Sequence, residues 1–465
     1  MKLLAFALLA SLGAGCASGP GRTGDPGGTD DPGGSGGGSG GSGDTGGSGG
    51  SGDPGGGAPP LPRVKVVTGA PPVLIAFREE AGAEWKTPAG GEDGAYEFEV
   101  SGPYRVVVVC TDTGDAVAEY ARTPADALVI DHRCGSREFP LRVRGEMLES
   151  GEVFLGGFGR GQSQAPWTFA LKAAAGTDDF VAYFGSLTTG FDRIAIRRDV
   201  AITGDLELGT IDAAQEDTHP LVATRFTASN LDPAEVRMSN TFLQSGNTNA
   251  ITGLFNHPDQ AWQIPLVPDD VLRTSDRQRV QLSADLSPSD SPQRRFRAVL
   301  RAAHAGESME VAMMAPLGAT TFETTADRVT ATWASLPDYG GLDLWRESFS
   351  SDFSRFVIHD LLITRAFVEA VGATSSALDF SDIPGFRPEW RHDPALEQVV
   401  GLDASHGPGD GDHEVSSLSQ DIPAPVTDPG GGLQRAAAPP ADSGRAQDRA
   451  RREHERAVRA RLGKR

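Results

Sequence analysis

The sequence predicts an all-β protein of two to three tandem β-sandwich modules, flanked by two segments that cannot build a core. Three observations carry that prediction. Short β-branched or alternating runs recur at about ten-residue spacing from Val64 onward, with Gly, Pro and Asp clusters between them. In Tyr96-Glu97-Phe98-Glu99-Val100 the apolar side chains share one face and the carboxylates the other, the pattern of a half-buried strand. From Ala17 to Pro60 the chain is almost only Gly, Ser, Asp, Pro and Thr, a composition with nothing to bury.

Lys2, the apolar run Leu3-Leu4-Ala5-Phe6-Ala7-Leu8-Leu9-Ala10 and the small residues Gly13-Ala14-Gly15 lead directly into Cys16. Charge, apolar run and small residues in that order read as a secretory signal over residues 1–15, and the run is too short to span a bilayer. Cleavage before a cysteine resembles the lipobox of bacterial lipoproteins, with Gly13 standing where Leu is commonest. The resemblance implies that Cys16 is lipidated and becomes the new N-terminus. It also implies a lipid anchor in the cell envelope, with the outer membrane expected, on its periplasmic or surface face.

Residues 16–61 then form a disordered tether, because a chain without apolar residues cannot offset its ordering entropy. As a flexible coil it spans roughly 35–40 Å. Gly33-Gly34-Ser35-Gly36-Gly37 and Gly46-Gly47-Ser48-Gly49-Gly50 match the G-x-S-x-G hydrolase pattern only by composition, since no strand and helix flank them. The Asp-Gly repeats lack the apolar residue per repeat that a calcium-binding β-roll needs.

A first module, 62–136, holds strands at Val64–Val67, Val73–Phe77, Tyr96–Val100, Arg105–Cys110 and Ala127–Ile130. Cys110 and Cys134 remain as a pair once Cys16 is set aside, and export favours a disulfide between them. It would close a loop of about 25 residues, worth roughly 3 kcal/mol. The alternative is two separate buried thiols. A second module, 137–215, reads as strands at Leu141–Val143, Glu152–Leu155, Trp167–Leu171, Phe180–Phe184, Arg193–Ile196, Val200–Ile202 and Leu206–Leu208. Gly157-Phe158-Gly159-Arg160-Gly161 is a hairpin turn by this reading, because no helix follows to bind phosphate.

The larger β-rich region, 216–398, has strands at Leu221–Thr227, Arg279–Leu282, Phe296–Ala303, Glu310–Met314, Arg328–Trp333, Arg355–Ile363 and Arg365–Val371, with a helix over Asp352–Phe367 as the alternative on length. From 399 to 465 a disordered tail is expected. It ends in Arg445–Arg465, which carries nine Arg/Lys against three Asp/Glu and has partial helix propensity. The alternatives for that segment are a solvated tail or docking on anionic lipid or on the chain's own acidic body.

The formal charge of −21 argues against nucleic acid as a partner, since phosphates would be repelled by most of the surface. Neither H-E-x-x-H nor paired C-x-x-C is present, so no zinc enzyme signature exists, and no cofactor and no catalytic residue is predicted. The densest metal-ligand cluster is His406, Asp410, Asp412, His413 and Glu414, which could hold a cation only if its glycine-rich loop curls. Arg391-His392-Asp393 puts His beside Asp, but sequence neighbours in an extended chain point opposite ways. Among six tryptophans, Trp85 and Trp390 have charged neighbours and are the candidates for exposed, sugar-stacking rings, whereas Trp167 and Trp333 stand in apolar runs.

Tether and strand rhythm together resemble multi-module β-sandwich envelope lipoproteins of high-GC Gram-negative bacteria, with immunoglobulin-like or carboxypeptidase-regulatory-like modules. The resemblance implies a membrane-anchored, non-catalytic binding or scaffolding protein with an envelope protein or glycan as partner. The competing readings are a glycan-binding module and a hydrolase whose residues converge only in three dimensions. Ligand and oligomeric state stay open.

Overall fold

The structure, a computed structural model, describes residues 60–422 apart from 83, 92, 112–115, 133, 135–139, 157–158, 164–167, 187–189, 257–260, 286–292, 326–327, 351–355, 381, 394 and 410–411. The expected signal, Cys16, the tether and the basic end of the tail lie outside the described residues, as do Asp410 and Trp167. Strands dominate, as the alternating runs predict. No described helix is long and apolar enough to cross a membrane.

The first seven strands are β1 (Arg63–Val67), β2 (Leu74–Glu79), β3 (Ala89–Gly90), β4 (Ala95–Glu99), β5 (Tyr104–Val109), β6 (Ala116–Arg122) and β7 (Val129–Asp131). They build a sandwich of two layers: β3-β4-β1-β7 on one side and β2-β5-β6 on the other. Val64, Val66, Phe98 and Ile130 pack from the first layer onto Ile75, Phe77, Val106 and Val108 of the second. Cys110 and Cys134 are disulfide-bonded with Cα atoms 5.0 Å apart, tying the end of β5 to the segment after β7.

A second set follows: β8 (Leu141–Met147), β9 (Gly151–Leu155), β10 (Gly159–Ser163), β11 (Thr168–Ala173), β12 (Gly176–Ser186), β13 (Gly190–Ile202), β14 (Leu206–Ile211) and β15 (Thr218–Pro220). Sheets β11-β8-β14 and β10-β9-β12-β13-β15 enclose Val143, Met147, Leu155, Phe169, Phe180 and Phe184. The outer face of β12 is apolar too, and Phe154, Val181 and Tyr183 pack against Leu243 and Ala250 of the next region. Beside that seam Asp179 accepts from Ser245 at 2.7 Å and from the Asp199 backbone at 2.8 Å.

The third region continues with β16 (Val222–Ser229), β17 (Val236–Ser245), β18 (Thr248–Asn256), β19 (Ala261–Leu266), β20 (Arg277–Asp285), β21 (Gln293–Ala302) and β22 (Met309–Ala312). Then come β23 (Thr320–Thr324), β24 (Arg328–Trp333), β25 (Gly341–Phe349), β26 (Phe356–Thr364), helix α1 (Arg365–Val371), β27 (Ser375–Asp379), β28 (Glu397–Gly409) and β29 (Asp412–Ile422). One sheet of eleven strands, β18-β17-β20-β21-β29-β28-β25-β26-β6-β5-β2, runs across this region and into the first sandwich. The join is a parallel pairing, β26 on β6, with Asp360 opposite Ala118.

One face of the large sheet is covered twice. Sheet β19-β16-β22 buries Phe226, Ile264 and Val311 against Val280, Leu282 and Val299. Sheet β23-β24-β27 and α1 bury Val329, Ala331 and Phe367 against Leu344, Leu361, Val400 and Leu402. At the far end, β5 is covered on both faces. Val106 and Val108 face the first sandwich while Val107 and Val109 face this second core, all four at 0% exposure. A strand buried on both sides needs apolar residues at every position, which is why Arg105–Cys110 reads as an unbroken valine run.

Two expectations are corrected here. Arg365–Val371 is a helix, because Thr364 caps it by accepting from the Phe367 N–H at 3.3 Å and Gly372 stops it at φ 63°. The tail expected from 399 begins no earlier than 423, since β28 and β29 are interior strands of the large sheet, with Leu402 and Leu418 fully buried. Their alternation was masked by polar residues on the other face.

Candidate functional site

That other face is open where β25, β28 and β29 cross it. Along β25, Leu342, Leu344 and Arg346 are buried against the covering sheet while Asp343 and Trp345 on the opposite face are half-exposed. The pairing sets Trp345 beside Gly401 and Asp343 beside Asp403, and Asp403 in turn beside Ser417. Side chains opposite one another across a ladder share a face, so Asp343, Trp345, Asp403, Ser417 and Ser419 form one polar patch around a single indole. Asp360 of β26 stands opposite Trp345 on the same face but is buried.

The indole lies down on the sheet. A Cβ on Gly401 would fall 2.8 Å from Trp345 Nε1 and inside the ring system, so only glycine permits that position. The indole N–H donates to Asp403, and Ser417 Oγ donates to Asp403 Oδ1 at 2.5 Å. Burial nevertheless pushes the Asp403 carboxyl up to about 6, with Asp360 and Glu347 adding to the rise and the two donated bonds opposing it. A half-buried aromatic ring seated on a glycine, with Asp343, Ser417 and Ser419 half-buried on the same face, offers an edge on which the C–H face of a ring-shaped polar molecule can pack.

Trp85 and Trp390, the rings expected to be exposed, are buried at 8% and 1% exposure. This corrects the sequence reading. The covers come from other residues than the flanking Glu84, Lys86, Glu389 and Arg391: the Arg78 guanidinium sits 4.6 Å from the Trp85 ring centre and that of Arg387 4.9 Å from Trp390. Trp85 also donates to Asp382 at 3.2 Å. Neither ring is available to a sugar.

The proposed cation cluster does not converge either. His406 on β28 stands opposite Glu414 on β29 and shares a face with it and Asp412, while His413 between them turns to the other face, and Arg301 pairs with both carboxylates. Asp412 accepts from the Ala302 N–H at 2.9 Å, and Glu414 pairs with Arg301. Burial holds the His413 imidazole below its ordinary value. Asp410 lies outside the described residues.

Two further polar clusters are internal. His392 shares a 2.8 Å hydrogen bond between Nδ1 and Ser348 Oγ, and its ring packs 4.1 Å from that of His359. Ser348 is 0% exposed, so it has no path to a substrate. His359 Nε2 donates to the Trp390 carbonyl at 2.9 Å, and full burial drives its pKa down to about 3, leaving it neutral. A cleft of about 250 Å³ lies between Asn230, Asp232, Glu235, Arg297, Leu317 and Ser416. Its charges are spent on one another: Arg297 donates to Glu235 at 2.9 Å, to the Met314 carbonyl at 2.8 Å and to the Asn230 carbonyl at 3.1 Å.

No protein-family model matches the chain, and no curated protein matches it. Among solved structures it is similar to the Bacillus anthracis TIE protein, at 8% identity over 54% of this chain and 50% of that one, with a TM-score of 0.14. It is also similar to the chicken CNTN1 FN1–FN3 domains, at 8% identity over 74% and 93% of the two chains, with a TM-score of 0.13. Scores this low do not equate the folds.

Proposed function

We propose that this chain is an exported, lipid-anchored, non-catalytic binding or scaffolding protein of the bacterial envelope, and that the open face around Trp345 is its contact surface. The observation that carries the reading is the pose of Trp345, half-exposed over Gly401 on an eleven-stranded sheet. A side chain fixed by its own sheet meets a ligand with little ordering cost. The signal sequence, Cys16 and the tether support the anchor, and three acyl-type chains at about 0.8 kcal/mol per buried CH₂ are ample for it. Cys16→Ser should move the protein from the detergent phase to the soluble periplasmic fraction. Wild type already in the aqueous phase would refute the anchor.

Trp345 also favours one ligand class, a neutral glycan. A pyranose ring would stack on the indole while its hydroxyls meet the half-buried Asp343, Ser417 and Ser419, with the buried Asp403 holding the indole from beneath. The test is saturation-transfer NMR with cellopentaose, chitopentaose and maltopentaose as probes. At least one should bind wild type and lose most of its affinity with Trp345→Ala, because the apolar surface on which the sugar's C–H face packs is then gone. Binding by none of the three, or equal binding by the variant, would leave the open face as a protein-contact surface.

A further inference from the structure

Among the described residues, the His, Cys and acidic donors that do converge are Cys110, His132 and Cys134, whose ligand atoms all lie within 4.8 Å of one another. We infer that this corner is a soft-metal site that opens when the Cys110–Cys134 disulfide is reduced, the two thiolates and the His132 imidazole binding one Zn²⁺-type ion with a fourth position left for another ligand.

The first argument is that the sheets, and not the S–S bond, hold the donors. Cys110 directly follows β5, which is paired with β2 on one side and β6 on the other. The backbone N–H of His132 donates to the Val67 carbonyl at 2.8 Å and that of Cys134 to the Thr68 carbonyl at 2.6 Å, at the end of β1 and just past it. Breaking the disulfide therefore leaves three donors anchored by backbone in the same place. The second argument is donor chemistry. Two thiolates and an imidazole suit Zn²⁺ or Cu⁺ and not Ca²⁺ or Mg²⁺. A tetrahedral site with Zn–S of about 2.3 Å and Zn–N of about 2.0–2.1 Å sets its donors roughly 3.5–3.8 Å apart, within the span seen here.

Third, the imidazole already has an outer-sphere partner. Tyr120 Oη lies 2.7 Å from His132 Nδ1, and the Tyr ring stands at 79° to the imidazole. Such a contact orients a metal-binding histidine. Access is present as well, since Cys110 and His132 are only half-buried. The chemistry balances: a dithiol reductant gives two electrons and two protons, becoming a disulfide while Cys110 and Cys134 become thiols. The incoming divalent ion then displaces those two protons to solvent. In the oxidised protein neither sulfur is a thiolate, so the site is closed.

The experiment uses the full chain carrying Cys16→Ser, so that two thiols remain, and Co²⁺ as the probe. After reduction and removal of the reductant under anaerobic conditions, one equivalent of Co²⁺ should bind with a thiolate-to-cobalt charge-transfer band, and Zn²⁺ should displace it. The oxidised protein should show no such band. His132→Gln, whose β-sheet circular dichroism serves as the folding check, should bind roughly tenfold or more weakly. No band in the reduced protein overturns the inference. So does a band in the oxidised protein, or unchanged affinity in His132→Gln.

Discussion

Trp345 rests on Gly401: the indole of one strand occupies the space where the facing residue of the next would carry its Cβ. The contact explains both a half-exposed tryptophan and a glycine in the middle of a central strand, where glycine otherwise weakens a sheet. Gly401→Ala should lift or tilt the ring, break its bond to Asp403, and cost about 1–3 kcal/mol, the range for overpacking. Urea unfolding followed by circular dichroism measures it. If Gly401→Ala is as stable as wild type, the ring does not lie where described.

The pair Arg297 and Glu235 locks β21 to the segment before β17, with side chains only 6% and 3% exposed. Glu235 also accepts from the Asp232 N–H at 2.9 Å, which ties the turn. Removing one partner of a buried pair leaves the other charge uncompensated and costs about 3–5 kcal/mol. Glu235→Gln should reach that range, whereas Glu369→Gln, which breaks the exposed pair Arg365–Glu369 on α1, should leave the urea midpoint essentially unmoved. Equal effects from the two variants would mean that the cleft pair is solvated.

What the sequence made legible depended on where polar residues fall. Strands buried on both faces or cleanly alternating, such as β1, β4 and β5, were readable because their burial is a local pattern. Strands β25, β28 and β29 were not fully read, because Asp343, Asp403, Ser405, Ser417 and Ser419 interrupt the apolar runs on the open face. The segment from His406 to Glu414 accordingly reads as part of the tail expected from 399. Trp85 and Trp390 were misread for a different reason. Charged residues flanking a ring in sequence do not decide its burial, because guanidinium groups further off, Arg78 over Trp85 and Arg387 over Trp390, cover the rings. Trp345 carried no local signal at all; its exposure is decided by Gly401, a residue far along the chain. The helix α1 did carry one, Thr364 before it and Gly372 after it, outweighed by the β-rich surroundings.

The Cys110–Cys134 bridge closes a sequence separation of 24 residues. In the chain-entropy account a loop of that size contributes roughly 3 kcal/mol by restricting the unfolded chain. Mature protein should show no titratable thiol in urea until reductant is added, and Cys110→Ser with Cys134→Ser should lower stability by about that amount. Two thiols titrating without reductant would exclude the disulfide.

His359 and Asp403 titrate abnormally in opposite directions, and their pH windows overlap. The folded pKa of His359 is depressed from 6.5 to about 3 by burial, so below 6.5 the unfolded chain takes a proton that the folded one refuses. Its contribution is present above about 6.5 and is lost as pH falls toward 3, on the order of 4–5 kcal/mol in all. The folded pKa of Asp403 is raised from 3.8 to about 6, so between those values the folded chain holds a proton that the unfolded one has released. Its contribution runs the other way, falling as pH rises from 3.8 to 6 by roughly 3 kcal/mol. Across pH 4–6 the two slopes nearly cancel. Each single variant should therefore expose the other group. Asp403→Asn, which keeps an acceptor for the Trp345 indole, should lose stability steadily as pH drops from 6.5 to 4. His359→Gln, whose amide can still donate to the Trp390 carbonyl, should instead gain stability over the same fall. Urea midpoints at pH 4, 5, 6 and 7 measure both, and variant profiles parallel to that of wild type would mean that neither group titrates as its burial requires.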